Sequence, residues 1–403
     1  MGNISELKQR NLLDIIKVIR QNGLITKPEI TKLSALTSVT VHNFINELIE
    51  KKLVIENGNA SSNGGRKAIL YKINASFGYI IGQNLGINCV DTNIFDLDLN
   101  LLYRTSVDLN LNYSEKIVDV ITQEIVLGID QLGFQIEDCL GIGVTVPGQV
   151  DYQNGVIINL TNIPGWRSIP VKTLYQTKFA VPTTVENDNN ANALASKWLK
   201  IVGEHSDAVF ISFTSGVGTG VLTKGKLFHG SHSNAGEIGH TTIQYDGPKC
   251  GCGNRGCIEV FASDFTVVEK VKRIKKSKDN ATCEDKDEID IQAVVRMAKA
   301  GDEPVYNILK GTADFISIAI DHIIKLYGPE VIVIQSNWLK EFQDLFYYTI
   351  DKVFMRCAWI NRDDLRITLS NIDNMEGIGA ATLILDEIFR YSEDNRLLKK
   401  IAV

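Results

Sequence analysis

Apolar residues first recur at helical spacing over Leu12, Leu13, Ile15, Ile16, Val18 and Ile19, and Gln21-Asn22-Gly23 supplies a stop, which predicts a first helix. Thr26 is placed to cap a short second helix, with Pro28 early in it and Ile30 and Leu33 as its apolar residues. After a tight connection at Leu36, Thr37 caps a third helix in which Val39, Val41, Phe44, Ile45, Leu48 and Ile49 run on to Lys52. The period then changes: Leu53-Val54-Ile55 and Ala68 to Ile73 read as two strands joined by a segment, 56–67, rich in Asn, Ser and Gly. Ser38, Thr40, His42 and Asn43 put small polar side chains at the start of the third helix, the chemistry of a helix that reads bases in a DNA major groove, and Arg66 and Lys67 on the hairpin tip are placed for a flanking minor groove. The pattern predicts a winged helix-turn-helix over residues 1–75. A helical dimerisation module with a solvated loop is the competing reading.

From Phe77 onward the pattern is that of a larger α/β body. Tyr79 to Asn88 is a strand reaching a Gly-containing turn, Val90 to Phe95 and Leu99 to Val107 continue as hairpin strands, Ile117 to Ile129 has helical spacing, and Cys139 to Val146 is a buried strand ending in Pro147-Gly148. The same succession returns later, with a strand at Ala208 to Phe213, a Gly-rich turn at Ser215 to Gly220 and a second hairpin of Val221-Leu222 with Lys226-Leu227. Two similar lobes are implied, each with a glycine turn of the kind by which actin-like ATPases and sugar kinases grip phosphates through backbone N–H groups.

Charge sharpens the division. The 403 residues carry a net charge of −6, yet residues 1–75 hold eleven Lys and Arg against six acids, leaving +5 there and −11 on the remainder. A small basic module on an acidic body is the asymmetry expected where only the module meets phosphate. At 44% hydrophobic and 22% charged residues, disordered and collagen-like classes are excluded, and charges interrupt every apolar run too early for a membrane span or a signal-peptide core. The expected compartment is the cytoplasm. The basic run Lys270, Lys272, Arg273, Lys275, Lys276 and Lys278 reads as an exposed helix leading into a mobile acidic loop, with a second DNA contact as the alternative.

Three of the seven cysteines cluster. Cys250, Cys252 and Cys257 have the spacing C-x-C-x4-C and begin ten residues after His240, so one His and three Cys make a closed tetrahedral set for structural zinc, with Gly251, Gly253 and Gly256 letting the loop wrap an ion. A disulfide and inert core thiols are the alternatives.

The run Ala235-Gly236-Glu237-Ile238-Gly239-His240, followed by Cys250-Gly251-Cys252-Gly253-Asn254-Arg255-Gly256-Cys257-Ile258-Glu259, resembles the two signature motifs of the ROK family of repressors, open reading frames and sugar kinases. Gly143 to Gly148, Asn162-Ile163-Pro164-Gly165-Trp166 and Glu186 to Ala191 follow in family order. The resemblance runs from about Phe77 to the carboxyl end. It implies an α/β, two-lobed, actin-like and sugar-kinase-like body behind the winged helix: a first lobe over 76–200 completed by a helix in 377–403, and a second over 201–376 carrying the zinc loop. It also implies that Asp188 occupies the position of the kinases' base, and that Asn187, Glu237, His240 and Glu259 contact a sugar, with Gly148 and Asn162 beside them. His240 would serve both zinc and sugar.

Departures from the family favour a regulator over a kinase. Where the family's kinases have Asp-x-Gly-Gly-Thr, this chain has Asn84-Leu85-Gly86-Ile87-Asn88, which lacks the carboxylate that helps hold a metal-nucleotide. Val331 to Asn337, through Gln335, lacks the glycine pair that usually follows that strand. The expectation is a homodimer or homotetramer that binds a palindromic operator and is released by a monosaccharide of the xylose or glucose type. An ATP-dependent sugar kinase with an attached DNA-binding domain is the alternative.

Overall fold

The computed structural model describes residues 2–61, 67–86, 89–108, 117–160, 167–278, 289–372, 374–390, 392 and 395–402. The chain begins with helix α1 (Gly2–Asn22), the two-residue strand β1 (Ile25–Thr26), α2 (Lys27–Ser34) and α3 (Ser38–Glu50), followed by β2 (Val54–Asn59) and β3 (Ile69–Ile73). Local chemistry sets these bounds. Thr26 donates its N–H and its hydroxyl to Glu29 at 2.8 and 2.7 Å, α2 ends where Ala35 turns left-handed at φ 55°, and Thr37 Oγ1 accepts the N–H of Thr40 at 3.2 Å to start α3.

Two features of this unit depart from the sequence reading. Ile25 and Thr26 pair with Tyr71 and Leu70, making a three-stranded sheet in the order β1–β3–β2; two residues are too few to show an alternation. Val39, expected on the apolar face of α3, is 69% exposed, because Val41, Phe44, Ile45 and Leu48 supply the buried face without it.

The body continues with β4 (Tyr79–Leu85), β5 (Cys89–Asp96), β6 (Leu101–Asp108), α4 (Ile117–Leu132), β7 (Cys139–Val146), three short strands β8 (Gln149–Asp151), β9 (Val156–Asn159) and β10 (Arg167–Ile169), α5 (Val171–Phe179), β11 (Thr183–Asn187) and α6 (Asp188–Trp198). After these come β12 (Ala208–Phe213), β13 (Val217–Thr223), β14 (Lys226–Leu227), α7 (Glu259–Ala262), α8 (Asp264–Lys278), α9 (Ile291–Lys299), α10 (Glu303–Tyr327), β15 (Val331–Ser336), α11 (Gln343–Arg356), β16 (Arg366–Leu369), α12 (Met375–Ile388) and α13 (Arg396–Ala402). Two five-stranded sheets result, β11–β7–β4–β5–β6 and β14–β13–β12–β15–β16. They share one scheme: β4 has an antiparallel neighbour in β5 and a parallel one in β7, and β12 has the same in β13 and β15.

α6 and α12 lie against each other, Ala191 and Leu194 meeting Leu383, and each is seated on a sheet at a glycine. A Cβ at Gly143 of β7 would stand 1.8 Å from the carbonyl oxygen of Ala380, and one at Gly220 of β13 would stand 2.1 Å from that of Asn189. Gly220 therefore corrects the expected turn over Ser215 to Gly220. The turn closes by Gly216, and Val217–Thr223 is a strand whose glycines admit a helix.

The carboxyl end also differs, since the single expected helix between Gly377 and Ile401 is two, α12 and α13. Leu397, Leu398 and Ile401 of α13 and Leu385, Ile388 and Phe389 share one core with Ile16, Ile45 and Tyr71 of the first seventy-five residues. The basic run on α8 is not uniformly solvated either: Lys270 Nζ lies 5.8 Å from the centre of the Phe315 ring, and burial lowers its pKa. Among the described residues no helix is long and apolar enough to cross a membrane.

Candidate functional site

The four residues of the predicted metal set come together. His240 ends a 3-10 turn, Ile238–His240, and the loop after it folds back through bridges of Thr242 with Cys257 and Lys249 with Arg255. Gly256 takes φ +64° with no room for a Cβ, which would fall 1.7 Å from the Gln244 carbonyl oxygen. The ligand atoms of His240, Cys250, Cys252 and Cys257 all lie within 4.8 Å of one another, with His240 Nδ1 3.7 Å from Cys250 Sγ and Cys252 Sγ 3.8 Å from Cys257 Sγ. A tetrahedral ion with bonds of about 2.3 Å has ligand-to-ligand edges of about 3.8 Å, so the residues fit a metal ion. The same separation is well beyond the ~2.05 Å of a disulfide bond. Burial, then the neighbouring thiols, push Cys257 up to about 12.

Beside this loop stands the predicted sugar group. Asn187 Oδ1 accepts the N–H groups of Asn189 (2.9 Å) and Asn190 (3.3 Å), which caps α6, and its amide donates to the Gly148 carbonyl at 3.1 Å. Asp188, the first residue of α6, accepts from the N–H and the side-chain amide of Asn189 on Oδ1, at 2.8 and 2.9 Å. Burial, opposed by the Asn189 N–H and reinforced by the carboxylates of Glu376 and Glu237, raises the Asp188 carboxyl to about 7. Burial also raises Glu237, with His240 opposing and Glu259 adding to the rise. Glu259 Oε2 accepts the N–H of Val217 at 3.2 Å while Oε1 lies 3.8 Å from Cys250 Sγ, so it joins the β12–β13 turn to the metal loop. Asn187, Asp188, Glu237, His240, Glu259 and Gly148 thus form one neighbourhood. Asn162 lies outside the described residues.

The sequence reading missed Glu376, whose carboxylate accepts from Gln335 Nε2 at 3.1 Å and faces Asp188 electrostatically. No local signal marks it, because it arrives from α12. Asp264 was missed as well: it is raised to about 7 by burial, with Asn337 Nδ2 opposing at 2.7 Å, and its N–H donates to Thr214 at the β12–β13 turn. In the first lobe Asn84 Oδ1 accepts from Thr145 Oγ1 at 3.1 Å, while Ile87 lies outside the described residues.

On the first unit, Ser38, Val39, His42, Asn43 and Lys67 are exposed and Thr40 is half-buried. The His42 ring is held between Lys27 Nζ (3.3 Å from Nδ1) and the Asn46 amide (3.0 Å from Nε2). Arg66 lies outside the described residues.

Residues 80–387 match the ROK family. A xylose repressor from Caldicellulosiruptor bescii is 30% identical over 98% of this chain and 100% of its own length. The crystal structure of a ROK family transcriptional regulator, described as a homologue of the Escherichia coli MLC protein, superposes with a TM-score of 0.80 at 24% identity over 98% of this chain and 99% of the other. A ROK family glucokinase from Streptomyces griseus, solved with glucose and AMPPNP, is 25% identical with a TM-score of 0.65, covering 76% of this chain and 99% of its own.

Proposed function

Because this chain belongs to the ROK family, we propose that it works as a sugar-responsive transcriptional repressor. The observation that carries this reading is the match over its full length to a xylose repressor, including the amino-terminal unit. The glucokinase covers only 76% of the chain.

In this reading residues 1–75 are a winged helix-turn-helix. Ser38, Thr40, His42 and Asn43 of α3 meet base edges in the major groove, and Arg66 and Lys67 of the wing meet the flanking minor groove. The three helices, their caps and the basic balance of the unit support it. The lobes are 76–200 with the helices of 377–403, and 201–376. A monosaccharide of the xylose or glucose type binds at Asn187, Asp188, Glu237, His240 and Glu259, with Gly148 and Asn162 at the edge. A structural zinc ion sits on His240, Cys250, Cys252 and Cys257, a complete ligand set with no position left for a catalytic water. Zinc there neutralises crowded thiolates and fixes the His240 ring, since Nδ1 is the nitrogen nearest the sulfurs and Nε2 remains for a hydroxyl. One winged helix buries too little DNA surface for tight specific binding, so a homodimer or homotetramer on a palindrome is expected.

Selecting duplexes from a random pool with the full-length protein, then titrating D-xylose and D-glucose into the complex, tests the reading. Recovery of a palindrome that a sugar releases is the expected result, and recovery of no preferred sequence overturns it. One observation favours sugar phosphorylation as a second reading: Asp188, raised to about 7, is poised as a base. Against it stands Asn84, committed to Thr145 where the family's kinases carry Asp. A coupled assay with ATP and the same sugars is expected to show no turnover.

A further inference from the structure

Outside the predicted sugar set, one half-buried cluster ties the two lobes together. Glu186 is the last but one residue of β11, immediately before Asn187 and Asp188, and is only 4% exposed. Its Oε1 accepts the N–H of Asn187 at 2.9 Å and the side-chain amide of Asn190 at 3.0 Å, so this carboxylate shapes the turn that opens α6. Its Oε2 lies 2.6 Å from His229 Nε2. His229 comes from the other lobe, two residues after β14, and its ring stacks on Tyr152 with centroids 3.7 Å apart and planes at 8°. A carboxylate only accepts, so Nε2 must carry the hydrogen.

The segment that His229 begins is the one that delivers the lobe-2 part of the sugar set. Ala235 donates its N–H back to the His229 carbonyl at 3.1 Å, and the Gly236 carbonyl accepts from Thr219 Oγ1 at 2.5 Å, so the segment is a closed loop pinned to β13 just before Glu237 and His240. A charge-assisted bond from a buried carboxylate to the first residue of that loop sets the distance between Asn187-Asp188 on one side and Glu237-His240 on the other.

We propose that His229 is a positioning residue for the sugar site: through Nε2–H to Glu186 it holds the Glu237-bearing loop of the second lobe in register with the Asn187-Asp188 turn of the first. It touches no sugar itself. The inference rests on the sugar reading given above and adds the residue that aligns its two halves.

Two variants separate the bond from the shape. His229→Gln keeps a donor where Nε2 stands and removes the stacking ring, whereas His229→Phe keeps the ring and removes the donor. D-xylose, D-glucose and N-acetyl-D-glucosamine are titrated calorimetrically into each full-length protein, and affinity for the selected duplex is measured without sugar. The expected result is sugar affinity at least tenfold weaker in His229→Phe, restored to within about threefold in His229→Gln, with the DNA affinity of both unchanged. Sugar affinity of His229→Phe equal to that of the unaltered chain overturns the inference alone. So does equal weakening in both variants, or a matching loss of DNA affinity, which mark a role in folding only. An unaltered chain that binds none of the three sugars overturns the sugar reading and this inference with it.

Discussion

The proton on the raised carboxyl of Asp188 has a consequence for stability. A carboxyl at about 7 in the folded chain, against an ordinary value of 3.8, means that between those values the folded state binds more protons than the unfolded one. Stability conferred by the neutral form is therefore present at low pH and is lost as pH rises through about 7. Asp188→Asn is expected to unfold at a higher temperature than the unaltered chain at pH 8, with the advantage shrinking toward pH 4. Thermal melts at both pH values check it. The same variant is expected to lose sugar binding, because the amide cannot accept as a carboxylate does. Val39 offers a second test on the proposed DNA face. It is 69% exposed among polar residues at the start of α3, where a branched apolar side chain fits a thymine methyl group. Val39→Ala is expected to weaken operator binding about fivefold, roughly 1 kcal/mol, without changing the unfolding temperature. Anisotropy titration reads the first and a melt the second.

Elements were legible in the sequence to different depths for physical reasons. α1 to α3, β7 and β12 carry long periodic or continuous apolar runs, and their caps and stops are local. The metal set was equally visible, since its ligands lie within one loop and their spacing alone limits the geometry. What escaped was settled by contact between distant elements: Gly218 and Gly220 read as a turn because nothing near them in sequence reveals that α6 lies on β13, and Glu376 reaches Asp188 only through the crossing of α12 and α6. Those crossings are rigid. With the Cβ of Gly143→Ala 1.8 Å from the Ala380 carbonyl oxygen, α12 must shift away from β7, and a loss of about 3 kcal/mol in urea unfolding is expected. The metal loop gives the complementary test. Elemental analysis is expected to find about one zinc per chain, and Cys252→Ser is expected to lose the metal and to weaken sugar affinity as His240 loosens.

Across the whole molecule, the proposed DNA-binding unit is not a bead on a linker. Its core runs without a break into Leu385, Ile388, Phe389, Leu398 and Ile401 of the carboxyl-terminal segments, Arg20 pairs with Asp98 of the first lobe at 3.1 Å, and Lys200 Nζ donates to the Gln21 carbonyl. α12 in turn packs on α6, whose first residue is Asp188. A sugar that draws Glu237 toward Asp188 therefore acts on a helix packed against the one that shares its core with α1 and α3. On this arrangement a sugar and an operator that favour different settings of the lobes must weaken each other's binding, and linkage makes the two factors equal. Glu237→Ala is expected to keep operator affinity and abolish release. Leu398→Ala, which thins the shared core, is expected to leave sugar affinity in the absence of DNA unchanged and to shrink the factor by roughly 0.5–2 kcal/mol. Titrations of sugar with and without operator, and of operator with and without sugar, measure the factor twice. Unequal factors, or a factor untouched by Leu398→Ala, would exclude the shared core as the route between the sites.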